Sequence, residues 1–142
     1  MTMLPLSDRS ELFALFTDRI TDPTRTLLSW EFLTAITADE GVRVERRRTN
    51  PDATKEEHYV RVLTADVPRA AAYLIFGSGT VEIRLPHDQA AEYEQHPAVT
   101  LPTDSAGVQR VFVSLDRTED APRTAVLLTR RALVHNSTPA GN

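Results

Sequence analysis

The chain has 142 residues, 41% hydrophobic and 25% charged, which suits one globular domain large enough to bury a core. It holds no cysteine, so disulfides, thiolate metal sites and a cysteine nucleophile are excluded. A net charge of −4 argues against general nucleic-acid binding, which needs a basic face. The longest apolar run is far short of the roughly 18 residues of a membrane span.

The opening MTMLPLSDRSEL lacks the basic-then-apolar order of a signal peptide, so a cytoplasmic location is expected. Ser7 suits the N-cap of a first helix, with Leu12, Phe13, Leu15, Phe16 and Ile20 at helical spacing. Asp22 and Pro23 suit the cap and first position of a second helix. That helix carries Leu27, Leu28, Trp30, Phe32, Leu33 and Ile36 and stops near Gly41.

Val42 and Val44 alternate with Arg43 and Glu45, the pattern of a half-buried strand. After a polar turn the alternation resumes at His58, Val60 and Val62, with Tyr59, Arg61 and Leu63 on the other face. The two segments predict a hairpin with a long loop. Residues 72–76 read as a short apolar strand. Gly77, Ser78 and Gly79 supply a turn, and Val81, Ile83 and Leu85 make the next strand's inner face.

Pro86 ends that strand, and a helix of about nine residues follows, closed by His96 and Pro97. Val111 and Val113 alternate with Phe112 and Ser114 in the last strand. Thr118 or Asp120 caps the final helix, Pro122 lies in its first turn, and Val126, Leu127, Ala132 and Leu133 form its stripe. Arg130 and Arg131 are placed in its last turns, where they favour the helix dipole. The pattern predicts a single α+β domain over residues 1–135. It has two N-terminal helices, an antiparallel sheet of about five strands, a short inserted helix and a C-terminal helix. A disordered tail is expected over 136–142.

The stretch VEIRLP, short helix, polar loop, RVFVSLD and closing amphipathic helix resembles the C-terminal half of the MmcQ/YjbR-like family. The small luciferase-domain family of uncharacterised proteins shows a similar order. The resemblance covers residues 72–135 and implies an α+β domain with one antiparallel sheet and helices on one side. It also implies DNA binding, a role suspected for that family. This chain departs from the family in carrying Phe112 where a tryptophan is usual in the penultimate strand, and in its acidic balance.

One basic concentration stands out: Arg43, Arg46, Arg47 and Arg48, with Lys55 and Arg61 close by. Lys55 is the only lysine against fifteen arginines. Forked guanidinium contacts suit a phosphate or carboxylate, and Tyr59 stands beside Arg61. The plainer reading is a charged edge strand that prevents edge-to-edge pairing. His58, His87, His96 and His135 lack metal-ligand spacing and read as surface groups and caps. Glu82 with Arg84 reads as an ion pair on a strand face, not half of a catalytic carboxylate pair. Trp30, Phe13, Phe16, Phe32, Tyr73, Phe76 and Phe112 are assigned to core packing. No cofactor or metal is expected, and the balance leans away from an enzyme.

The sequence therefore predicts a binding or interaction module of a bacterial cytoplasm, of regulatory, adaptor or immunity type. Its site is Arg43, Arg46, Arg47, Arg48, Tyr59 and Arg61, and its partner another protein or a second copy. A nucleic-acid-binding protein using the Arg43–Arg61 hairpin is the first alternative. A small-molecule-binding protein or enzyme with a pocket on the open sheet face is the second.

Overall fold

The structure is a computed structural model that describes residues 2–3, 22–46, 59–64, 67, 69–75, 78–102 and 108–137. The first expected helix, the loop with Lys55 and His58, Phe76 and residues 138–142 lie outside the described residues. Among the described residues, a single antiparallel sheet is packed on one side by the two longer helices. Its strands are β1 (Thr2–Met3), β2 (Val42–Arg46), β3 (Tyr59–Thr64), β4 (Ala72–Ile75), β5 (Thr80–Leu85), β6 (Val99–Thr100) and β7 (Gln109–Ser114). Their order is β1-β2-β3-β4-β5-β7-β6. The five longer strands are those expected; β1 and β6 are two-residue strands too short to leave a periodic signal.

The helices are α1 (Pro23–Thr37), α2 (His87–Ala91) and α3 (Ala121–Ser137). Asp22 caps α1 as expected: its carboxylate accepts from the Thr24 and Arg25 backbone amides at 2.8 and 3.2 Å, and Pro23 follows where no donor is needed. Gly41 ends the following turn with φ +80°, a conformation that favours glycine. Thr26, Ser29, Leu33 and Ile36 mark the buried stripe of α1, with Phe32 beside it. Leu27 is 66% exposed, because it falls on the side of the helix opposite that stripe.

Alternation along the strands sorts the sheet into two faces. Val44, Val60, Val62, Ala72, Leu74, Val81, Ile83, Val111 and Val113 are buried against α1 and α3 in one core with Phe32, Leu128 and Ala132. The cross-strand register keeps these residues together: Val44 faces Val62, Val60 faces Leu74, Leu74 faces Val81, and Val81 faces Val113. A slip of one residue in any strand would turn its apolar set outward, so burial itself specifies the register.

Three corrections concern the helices. α2 is five residues long, since a chain of turns replaces helix after Ala91. α3 runs to Ser137, so Asn136 and Ser137 belong to the fold and not to a tail. The Asn136 amide donates to the Arg69 carbonyl at 3.3 Å and ties that end down. The longer α3 places Arg130 and Arg131 short of its last turn. They serve as lateral clamps instead: Arg130 grips Asp39 with two bonds of 2.7 and 3.1 Å, and Arg131 reaches Glu92 at 2.8 Å.

Candidate functional site

The face of the sheet turned away from α1 and α3 gathers a different set of side chains. Arg43 and Glu45 come from β2, Tyr59, Arg61 and Leu63 from β3, and Tyr73 and Ile75 from β4. Thr80, Glu82 and Arg84 follow from β5, and Arg110, Phe112 and Ser114 from β7. The register sets them opposite one another: Glu45 faces Arg61, Arg61 faces Tyr73, Tyr73 faces Glu82, Glu82 faces Phe112, and Arg84 faces Arg110.

Aromatic rings and guanidinium groups alternate across this face. Tyr59 and Tyr73 meet edge to face, with centroids 5.3 Å apart and planes at 82°. The Arg84 guanidinium lies 5.3 Å from the Tyr73 ring centre, and that of Arg110 lies 5.8 Å from Phe112. Such contacts attract through the ring quadrupole and hold the arginine stems flat. Glu82 stands between the two arginines, one carboxylate oxygen 3.9 Å from Arg84 and the other 4.0 Å from Arg110. The Arg84 and Arg110 side chains are each 44% exposed, while Glu82 sits deeper.

Of the site residues expected from sequence, Arg43, Tyr59 and Arg61 share this face. Arg43 is exposed at its margin. Arg61 is largely enclosed and pairs with buried Glu45 at 3.6 Å, so much of its charge is spent within the protein. Arg46 ends β2 opposite Thr2. Arg47 and Arg48 lie outside the described residues. Tyr73 and Phe112, assigned to the core from sequence, are half-buried members of this outer face. Their strands' parity places them there: Ala72 and Leu74 point inward beside Tyr73, and Val111 and Val113 beside Phe112.

A second polar constellation joins the turn after α2 to the start of α3. His96 Nδ1 accepts the Ala98 amide proton at 3.1 Å, which leaves Nε2–H to donate to Asp120 Oδ2 at 2.9 Å. The Thr118 hydroxyl donates to the other Asp120 oxygen at 2.6 Å. The order of residues is unlike a nucleophile–base–acid chain, because threonine donates to the carboxylate and the backbone occupies the second histidine nitrogen. The cluster is a clamp. Sequence reading missed it because His96 and Asp120 are 24 residues apart and meet only through the fold.

The Thr118 hydrogen bond, and then that of His96, lower the Asp120 carboxyl from its ordinary 3.8 to about 2. A depressed carboxyl adds stability that is whole above the unfolded value and is lost as pH falls toward the folded one. Melting temperature is therefore expected to fall more steeply between pH 4 and pH 2 in the native protein than in Asp120→Asn. Thr118→Val should move the Asp120 carboxyl carbon titration back toward 3.8 by NMR. Parallel melting curves for native and Asp120→Asn proteins would show the clamp to be idle.

Among the described residues, no group of three or more His, Asp or Glu side chains is placed to hold a metal ion. Three grooves border α3, with volumes of about 590, 660 and 340 Å³, and none lies on the aromatic–arginine face. No described helix is long and apolar enough to cross a membrane. The fold and face define an α+β domain with one antiparallel sheet and an arginine–aromatic outer surface. In comparisons with family models, with curated proteins and with solved structures, nothing matches the chain.

Proposed function

We propose that this protein is a binding module that engages another protein through the sheet face opposite its helices. One observation carries the reading: Tyr73 and Phe112 are half-exposed beneath Arg84 and Arg110 on adjoining strands, with Glu82 between them. Tyrosine, phenylalanine and arginine are the residues that concentrate at protein interfaces, because they add large contact area and directional donors at small entropic cost. The face also carries four arginines against two glutamates, in a chain of net charge −4. Its partner surface is accordingly acidic. Such a module fits a small regulatory, adaptor or immunity-type protein of a bacterial cytoplasm.

Selection from a random peptide library displayed on phage tests the reading. Bound peptides should lose affinity for Tyr73→Ser and Arg84→Ala variants while tolerating changes at exposed Leu27 and Val134 on the helical side. Peptides that map to the helical side, or a set indifferent to Tyr73 and Arg84, would defeat it. A stable dimer in light scattering that the same variants dissolve would make a second copy the partner.

Single-stranded nucleic acid is the second reading, favoured by the row of aromatic rings. Bases stack on open ring faces. Here guanidinium groups lie over Tyr73 and Phe112, and Glu82 at the centre repels phosphate. Protein is the better-supported partner for those two reasons.

A further inference from the structure

We infer that the outward ridge of α3, with Leu127 and Val134 on its crest, is a self-association surface on which a second copy of the chain docks in parallel. The inference does not depend on the sheet-face reading, because the ridge lies on the other side of the molecule. Among the described residues, the exposed large apolar side chains are Leu27, Leu127 and Val134, at 66%, 43% and 69% exposure, and all three lie on helices. Leu127 and Val134 share α3 and stand seven residues apart, the spacing that lets one side of a helix meet a parallel copy of itself. Arg130 stands between them on the same exposed line. Asp39 draws its guanidinium to one side with bonds of 2.7 and 3.1 Å. The charge is thereby turned off the crest, and the methylene stem continues the apolar line.

The flanks of the ridge identify the occupant. Grooves of about 590 and 660 Å³ lie on either side of it, and Arg130 and Val134 border both. A ridge beside a groove is complementary to itself about a two-fold axis. Charge obeys the same symmetry. Arg25 meets Asp116 and Asp39 meets Arg130, each pair 91 residues apart, so α1 and α3 run side by side in one direction. That offset sets Glu40, in the groove on the α1 flank, level with Arg131, in the groove on the α2 flank. A two-fold axis along α3 brings the α1 flank of one copy against the α2 flank of the other. Glu40 of each copy then approaches Arg131 and His135 of its neighbour, a carboxylate beside a guanidinium. An antiparallel pairing sets like flanks together, with Glu40 facing its own counterpart. The contact spans roughly 25 by 20 Å, on the order of 500 Å² a side, the size of a reversible association. The two sheets lie outermost, with their outer faces turned away from the contact.

Sedimentation velocity over a concentration series, together with cysteine cross-linking, decides the matter. The native chain should pass from monomer to dimer as concentration rises. Leu127→Asp and Val134→Asp should each raise the dimer Kd by about tenfold or more, since each buries a carboxylate in the seam. Tyr73→Ser, on the sheet, should leave it unchanged. The chain holds no cysteine, so a single introduced thiol reports proximity directly. Under mild oxidation Val134→Cys should link to its own counterpart. Leu27→Cys, comparably exposed but beside the Arg25–Asp116 pair that precedes α3, should not. A chain that stays monomeric at about 1 mM overturns the inference. So does a dimer that Tyr73→Ser dissolves and Leu127→Asp does not. If an aspartate variant does not fold, the two cysteine variants decide: equal linking of both overturns the parallel seam.

Discussion

Replacing Phe32 with alanine is expected to lower stability by about 3–5 kcal/mol, the range for deleting a fully enclosed aromatic side chain. Phe32 is fully buried in α1, beside the groove that Ala35 forms with Pro122 and Val126 of α3. The ring therefore fills the joint between the two helices that cover the sheet. Its removal leaves a void that the strands beneath cannot close, because their register is pinned by the opposite side of the same core. A domain of this size has about 5–15 kcal/mol in all, so the variant should melt more than about 10 °C lower. Leu27→Ala, one turn earlier on the exposed side of α1, should change stability by less than about 0.5 kcal/mol. Chemical denaturation of the two variants checks both numbers, and similar losses would place the core elsewhere.

Arg61→Ala is expected to cost about 2–3 kcal/mol. Glu45 is 8% exposed, and the Arg61 side chain 15%. Removing one partner of an enclosed ion pair leaves the other desolvated, a change worth about 3–5 kcal/mol when burial is complete. Some remaining exposure discounts that figure. The double variant Glu45→Leu/Arg61→Leu should recover much of the loss, since two apolar groups of similar volume often replace such a pair at little cost. Denaturant midpoints for the two single variants and the double variant test this. Additive losses would show that the two residues do not depend on each other. Arg84→Gln, on the exposed half of the same face, should by contrast leave the midpoint nearly unchanged. The two arginines thus separate by their effect on stability, large for enclosed Arg61 and small for exposed Arg84.

The contrast shows where sequence reading succeeds. The α+β class, the antiparallel order and the inward sets Val44, Val60, Val62, Val81, Ile83, Val111 and Val113 were readable, because a half-buried strand writes its burial as a period of two. Asp22–Pro23 was readable because a cap needs a side-chain acceptor at one position only. The outer face was not. Tyr73 lies in AYLI, where every residue is apolar and alternation leaves no trace. Parity sets Phe112 opposite Val111 and Val113, and only its apolar ring reads as core. The pairing of Arg84 with Arg110 depends on strand register, which short-range pattern does not contain. Sequence reading placed the binding arginines on the β2–β3 hairpin because they are consecutive there. The fold collects exposed arginines on β5 and β7 that stand far apart in the chain.

The β6–β7 margin of the sheet constrains how any partner can approach. The Gln109 side-chain amide donates to the Arg110 carbonyl at 3.0 Å and to the Pro102 carbonyl at 2.6 Å. The Val99 amide, which alternation turns away from β7, donates to the His96 carbonyl at 3.0 Å. Backbone groups that would otherwise invite another strand are thus satisfied from within. A visiting strand would meet these groups already occupied. These margin residues are accordingly a poor template for edge-to-edge pairing with another copy of the chain.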